Sequence, residues 1–180
     1  NYPEYEVIVI NDGSKDNTLQ KIKDAYNLEE AARAPTSNLE TAEIKKTYRS
    51  QRYSNLWVID KENGGKADAL NAGIKYCHTP LFCGMDSDSL LEKDALIRII
   101  KPFMEKESTI AAGGMIRVAN GCNIESGRVT SIELPDSLLA KFQVMEYLRA
   151  FLSGRIGWEV MNSTMIISGA FGAFRREAVV

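Results

Sequence analysis

The sequence of 180 residues lacks the long apolar runs, paired cysteines and excess positive charge that mark several large classes of protein. Its longest apolar stretch, residues 165–174, contains a serine and is too short to span a bilayer. The three cysteines include no Cys-x-x-Cys pair, which argues against a disulfide scaffold or a zinc knuckle. The net charge of −2 argues against nucleic acid as the main partner. What is present is an ordinary globular composition, 44% hydrophobic and 26% charged, at a length that suits one domain.

Short apolar runs alternate with helical patterns over the first 108 residues. The runs at residues 5–10, 56–60 and 81–85 are nearly continuous, which predicts strands buried on both faces of a parallel sheet. Apolar residues at helical spacing predict three helices, over residues 17–26, 65–76 and 93–105. Because strands and helices alternate, the fold class is predicted to be α/β.

A polar segment of about residues 27–54 interrupts this alternation. We interpret it as an inserted surface segment with a short helix around residues 39–49. Its basic cluster consists of Lys45, Lys46, Arg49 and Arg52. A solvated face is the favoured interpretation of that cluster, and contact with anionic lipid head groups is the open alternative.

The alternation of predicted strands and helices ends after residue 108. Strands are predicted over residues 109–118 and around Val129, with a polar turn region over residues 120–127 between them. An amphipathic helix is predicted over residues 138–153, before the apolar segment at residues 165–174. This second part therefore differs in organisation from the first 108 residues.

Polar or glycine-rich sequences follow each predicted strand of the first part. They are NDGS at residues 11–14, NGGK at residues 63–66 and DSD at residues 86–88. Ligands of open α/β sheets bind outside the carboxyl ends of the strands, so we expect these three loops to converge on one site.

Asp86 and Asp88 flank Ser87 directly after a predicted buried strand. Two carboxylates at that spacing offer hard oxygen ligands to Mg²⁺ or Mn²⁺, and such a cation would neutralise a diphosphate. A turn rich in Asp and Ser that caps the helix starting near Glu92 would have the same composition. The position after a buried strand favours the metal site.

The other two loops carry weaker patterns. Asp12 can accept hydrogen bonds from a nucleobase or ribose while Gly13 permits a tight turn, although Asp-Gly pairs are common in ordinary turns. Residues 63–66 precede a helix whose N-terminus favours an anion, and Lys66 adds a charge that phosphate can use. A plain connection from strand to helix explains this loop equally well.

Taken in order, VIVINDGSKDNT, ENGGKADALNAGI, CGMDSDS and ISGAFGAFRREAV resemble the motifs of family 2 inverting glycosyltransferases with the GT-A fold. The most similar branch is the membrane-associated, processive one, which includes poly-β-1,6-N-acetylglucosamine synthases. The resemblance implies a GT-A-type (Rossmann-like) α/β fold with a mixed, mostly parallel sheet flanked by helices. It implies a nucleotide-sugar-binding half over residues 1–108 and the start of an acceptor-side half over residues 109–180.

The resemblance also implies a role for each matching residue. Asp12 would contact the uracil or ribose of a UDP-sugar, and Asp86 and Asp88 would bind Mg²⁺ or Mn²⁺ beside the donor diphosphate. The full set implied for the donor is Asp12, Gly13, Ser14, Gly65, Lys66, Asp68, Asn71, Asp86, Ser87 and Asp88. The set implied for the acceptor side is Ser168, Gly169, Ala170 and Phe171.

The implied activity is metal-dependent transfer of a sugar, N-acetylglucosamine in this branch, from a UDP-sugar to a growing polysaccharide with inversion. The acceptor hydroxyl attacks the anomeric carbon in one displacement, so no nucleophilic residue is expected. The resemblance places the family's first strand before residue 1 and its general base after Val180, and the family's membrane segments are absent from these 180 residues. We therefore expect these residues to be truncated at both ends, with weak or no turnover of their own. The enzyme would work at the cytoplasmic face of a bacterial inner membrane.

Two alternatives stay open at this point. One is a glycosyltransferase of the same fold that uses a lipid or protein acceptor. The other is a non-catalytic module that binds a nucleotide sugar.

Overall fold

The computed structural model describes residues 2–150 and 167–180, and the chain divides into two compact units. The first unit contains residues 2–82 and 175–180, and the second contains residues 83–174. The α/β class predicted from the sequence is confirmed, because the described residues form mixed parallel and antiparallel sheets together with four α-helices.

The first unit is built on a four-stranded sheet. Its strands are β1 (Val7–Asp12), β2 (Leu28–Glu30), β3 (Ile44–Ser50) and β4 (Leu56–Lys61), and its helices are α1 (Thr18–Tyr26) and α2 (Lys66–Lys75). The strand order is β1-β4-β3-β2. β1 runs parallel to β4, with Asp12 opposite Lys61, and β3 is antiparallel to both of its neighbours.

The core of the first unit centres on β4, which lies between β1 and β3. Val58 and Ile59 of β4 are fully buried. Helix α2 packs closely on β1, since a Cβ added at Gly73 would lie 3.8 Å from Ile10 Cδ1. The carboxyl ends of β1 and β4 therefore lie beside the loop that leads into α2.

The predicted helix around residues 39–49 is wrong, because strand β3 covers Ile44–Ser50. Tyr48 and Ser50 are buried while Arg49 between them is exposed, an alternation that belongs to a strand with one covered face. The segment is a strand because it pairs with the apolar strand β4, and the local composition of the segment does not reveal such pairing.

The basic cluster lies on the exposed side of β3 and beyond its end. Lys45 Nζ lies 2.9 Å from a Glu62 carboxylate oxygen, and Lys46 Nζ lies 2.7 Å from one of Glu30. The guanidinium of Arg49 lies over a tryptophan ring. Acidic side chains and an aromatic ring thus accompany the positive charges on a solvated face.

The second unit contains a three-stranded sheet and a separate hairpin. Its elements are β5 (Leu81–Met85, which begins in the first unit), α3 (Ala95–Glu105), β6 (Ala111–Gly113), β7 (Asn123–Glu125), β8 (Arg128–Ser131), α4 (Leu138–Leu148) and β9 (Phe171–Arg175). The sheet order is β5-β9-β6, and β7 pairs with β8. The prediction that β5 shares a parallel sheet with β1 and β4 is therefore not met, since its hydrogen-bonded neighbour is β9.

The elements observed after residue 108 differ in their bounds from those predicted. The strand predicted over residues 109–118 is reduced to β6, and β7 lies inside the predicted polar turn region. Helix α4 ends at Leu148, and residues 151–153 of the predicted helix lie outside the described residues. Among residues 2–150 and 167–180, no helix is both long and apolar enough to cross a membrane.

Candidate functional site

The carboxylate of Asp12, at the end of β1, is the centre of a hydrogen-bonded cluster in the first unit. Its Oδ1 accepts from Lys61 Nζ at 2.7 Å and from the backbone N–H of Gly64 at 3.0 Å. Its Oδ2 accepts from the backbone N–H of Gly65 at 2.7 Å and from Asn63 Nδ2 at 3.4 Å. A carboxylate has about four acceptor positions, so this arrangement fixes both oxygens of Asp12 against the loop that leads into α2.

Lys61, the last residue of β4, joins Asp12 to a second carboxylate. Its side chain is fully buried, and its Nζ lies 2.7 Å from Asp12 Oδ1 and 2.5 Å from Asp68 Oδ1. The third ammonium hydrogen is donated to the Glu62 carbonyl oxygen at 2.6 Å. A buried charge is tolerated only when it is paired and hydrogen-bonded, and Lys61 meets both conditions.

Asp68 lies in the first turn of α2, where a negative charge also suits the helix dipole. Both of its oxygens accept from the backbone N–H of Ala42, at 3.1 and 2.9 Å. A Cβ added at Gly64 would lie 2.3 Å from Asp68 Oδ1. The loop can therefore pass this carboxylate only because residue 64 has no side chain.

Two more glycines permit the backbone conformation of the loops around this cluster. Gly13 has a φ of 67° and Gly65 a φ of 85°, both in the left-handed region that glycine adopts without strain. A Cβ added at Gly13 would lie 2.7 Å from the backbone nitrogen of Asn63. The turn after β1 and the loop after β4 thus touch through their backbones.

The charges of the cluster reinforce one another. Burial opposes ionisation of Asp12, but the hydrogen bonds from Lys61, Gly64 and Gly65 outweigh it and lower the pKa of this carboxyl. The hydrogen bond from Lys61, followed by that from Ala42, lowers the pKa of Asp68. Burial alone would lower the pKa of Lys61, yet its two carboxylate partners raise it. At neutral pH the three side chains are ionised, with a net charge of −1.

The other predicted donor residues of the first unit lie close in sequence to the residues of this cluster. Ser14 is exposed directly after the turn at Gly13, and Lys66 is exposed as the first residue of α2. Asn71 is half-buried on the same helix. Of the donor set, the structure thus brings Asp12, Gly65 and Asp68 together around Lys61.

The second unit carries the predicted metal motif in a turn that follows β5. The backbone N–H of Ser89 donates to the Asp86 carbonyl oxygen at 3.1 Å and closes the turn. Asp86 is half-buried, and Ser87 and Asp88 are exposed. Within the described ranges, no group of three or more His, Cys, Asp or Glu side chains is placed to hold a metal ion. The turn can therefore offer two carboxylates, and any further ligands would have to come from a bound molecule and water.

The predicted acceptor-side residues form the turn that enters β9. The backbone N–H of Ala170 donates to Ser168 Oγ at 3.3 Å, and Gly169 is exposed. Phe171 is 7% exposed, and a Cβ added at Gly114 would lie 2.1 Å from its Cδ1. The ring of Phe171 is thus a core side chain, while the turn before it is accessible.

Lys61 is not among the residues predicted from the sequence. The signal that would have found it is its place in the strand LWVIDK, where Leu56, Val58, Ile59 and Lys61 are the buried positions. A lysine that faces the interior needs an acidic partner, and the sequence offers Asp12 at the end of β1 and Asp68 at the start of α2.

A family model and several curated proteins match this chain. The family model described as "Glycosyl transferase family 2" matches residues 36–179, well over half of the chain. Two similar curated proteins are named "Poly-beta-1,6-N-acetyl-D-glucosamine synthase": one from Staphylococcus epidermidis, 27% identical over 179 residues, and one from Staphylococcus aureus (strain COL), 27% identical over 180 residues. Each alignment covers 99% of this chain and 34% of the relative, so the chain spans about a third of the length of the curated relatives it matches. On the strength of the family match, this chain belongs to glycosyl transferase family 2.

Proposed function

We propose that this chain binds the UDP-sugar donor of an inverting, metal-dependent glycosyltransferase. In the whole protein, the reaction would be transfer of N-acetylglucosamine to a growing polysaccharide. The family membership and the names of the relatives support the reaction class and the sugar. The observation that carries the donor site is the ionised Asp12 cluster at the carboxyl ends of the parallel strands β1 and β4, where α/β proteins bind nucleotides.

In this proposal the Asp12 carboxylate accepts a hydrogen bond from the uracil ring or the ribose. Its four present bonds differ in length, and the contact from Asn63 Nδ2 to Oδ2, at 3.4 Å, is the longest. That amide also donates to the Asp12 carbonyl oxygen at 2.9 Å, so it can leave the carboxylate and keep a partner. The nucleoside then takes one position on Oδ2, and the bonds from Lys61 and the loop backbone hold the carboxylate in place.

Asp86 and Asp88 would hold Mg²⁺ or Mn²⁺ together with the donor diphosphate. The donor set fits either ion, because hard cations prefer carboxylate oxygens and leave several positions to phosphate and water. When bound, the cation would offset the charge that develops on the departing nucleoside diphosphate. The half-buried Asp86 and the exposed Asp88 would orient that diphosphate.

On the acceptor side, the turn over residues 168–170, in which Gly169 is exposed, would border the donor sugar and the incoming hydroxyl. The buried Phe171 would fix this turn from below and would not itself touch the sugar. We place the reaction at the cytoplasmic face of a bacterial inner membrane, on the basis of the sequence resemblance to membrane-associated synthases.

Calorimetric titration of UDP into the 180-residue chain tests the donor site. A thermal melt first verifies that the protein is folded. We expect binding in the presence of Mn²⁺ that is lost on chelation and in Asp88→Ala. Asp136→Ala, which removes an exposed carboxylate elsewhere in the second unit, is the matched control and should bind as the wild type does. A folded wild-type protein that fails to bind UDP would overturn the donor site, and equal binding with and without metal would overturn the metal role alone.

A further inference from the structure

A fully buried lysine is unusual in the interior of a sheet. Lys61, Ile59 and Val58 are the largest side chains that are fully buried among the described residues. An apolar residue at position 61 would extend the core without the cost of desolvating a charge. The lysine therefore calls for an explanation beyond packing.

The ammonium of Lys61 has no capacity left for a ligand. Its three donors serve Asp12, Asp68 and the carbonyl of Glu62, and its side chain has no exposure to solvent. Any effect of Lys61 on a nucleotide must therefore pass through the two carboxylates. Both carboxylate side chains are 20% exposed, so they do reach the surface.

We infer that Lys61 is a positioning residue of the donor site, whose buried charge holds Asp12 and Asp68 ionised and fixed at the ends of β1 and α2. This inference rests on the proposed function, because it assigns Asp12 to the nucleoside. Lys61 would thus contribute to the donor site from inside the sheet, whereas the other proposed donor residues come from the loop motifs.

The proposed role of Lys61 can be measured, because loss of its charge changes the net charge of the cluster. The elements packed around Lys61 present Asp12 from β1, Asp68 from α2 and the apolar Ile44 from β3. With Lys61 the cluster carries a net charge of −1, and without it the charge is −2. Two carboxylates that have lost their cation share a proton up to higher pH, and at neutral pH their added charge repels an anionic nucleotide.

The test compares UDP binding by four proteins between pH 5.5 and 8.5. They are the wild type, Lys61→Met, the double variant Lys61→Met/Asp68→Asn and Lys45→Met. Lys45 is the matched control, since its ammonium pairs with Glu62, the residue after β4, and its side chain is 41% exposed. Affinities are expressed relative to the wild type at each pH, which removes the titration of UDP itself.

We expect Lys61→Met to weaken UDP binding by about tenfold or more at pH 7, as loss of a nearby unit charge does. The loss should shrink as the pH falls, because protonation of Asp68 restores the charge of −1. The double variant carries that charge permanently, so it should lose the added pH dependence and recover part of the affinity, while the rest stays lost because the ammonium that fixes Asp12 is missing. Lys45→Met should bind as the wild type does. A role in packing alone predicts neither the recovery nor the pH dependence.

The outcomes separate this inference from the proposed function. A folded wild type that does not bind UDP overturns both. A wild type that binds, with Lys61→Met equal to it or with no recovery in the double variant, overturns the role of Lys61 alone. Where Lys61→Met does not fold, carboxyl ¹³C NMR of the wild type decides. The Asp12 carboxyl must then titrate below the ordinary range, and a titration at or above about 3.9 refutes the inference.

Discussion

Two glycines of the candidate site, Gly13 and Gly65, should differ in how much their replacement with alanine destabilises the protein. Gly13 and Gly65 both have positive φ, so replacing either with alanine forces a side chain into the left-handed region. Their surroundings differ. A Cβ at Gly65 would meet no atom within 4 Å, whereas a Cβ at Gly13 would lie 2.7 Å from Asn63 N and 2.9 Å from Asn63 Cβ.

The expected costs follow from these two situations. A positive φ costs alanine about 1–3 kcal/mol, and the loss of freedom in the unfolded chain returns about 0.4–1 kcal/mol. Gly65 combines its positive φ with a ψ of 174°, a conformation that is nearly restricted to glycine, so Gly65→Ala should lower the free energy of unfolding by about 1–2 kcal/mol. Gly13→Ala carries a backbone cost of the same order and must also displace the Asn63 backbone, which adds about 1–3 kcal/mol as overpacking does.

Urea unfolding followed by tryptophan fluorescence measures both variants against the wild type. The midpoint for Gly13→Ala should fall clearly below that for Gly65→Ala, with similar m-values. Equal midpoints for the two variants would show that the turn after β1 does not press on the loop after β4, and the geometry of the site would have to be revised.

Two further predictions concern ionisable groups. Because the pKa of Asp12 and of Asp68 is lower in the folded protein than in the unfolded chain, these carboxylates contribute stability above about pH 3.9 that is lost as the pH falls through their folded values; the melting temperature of Asp68→Asn should accordingly fall less between pH 6 and pH 3 than that of the wild type, and parallel curves would contradict this. Burial raises the pKa of the Cys83 thiol to about 11, so its alkylation by iodoacetamide at pH 8 should be on the order of a hundredfold slower in the folded protein than in urea. Equal alkylation rates would show that Cys83 is accessible.

The sequence predicted those elements whose signal is local. The apolar runs that became β1, β4 and β5 stop at asparagine or aspartate, and their short length favours strands. The segment that became β3 carries no such signal, because it has no apolar run and contains two lysines and an arginine that are exposed. Its structure depends on pairing with β4, the next strand along the chain, which propensity alone does not reveal.

Of the candidate site, only the residues that belong to the loop motifs were predictable from the sequence. Loop motifs placed Asp12, Gly65 and Asp68 at the carboxyl end of the sheet, because strand ends can be located from the sequence. The pairing of Asp12 with Lys61 depends on the parallel register that sets these two residues opposite each other. Nothing within either strand specifies that register, so the buried lysine became visible only in the folded chain.

The arrangement around Lys61 bears on how the site would work. An exposed aspartate would bind a nucleoside only after losing side-chain freedom and bound water. Asp12 has already lost that freedom, because Lys61, Gly64 and Gly65 hold its oxygens before any ligand arrives. The cost of desolvating Lys61 is met during folding, when the two carboxylates pair with it. Rigidity at Asp12 is thus supplied by the core of the first unit, and binding need only exchange the long contact from Asn63 for one from the ligand.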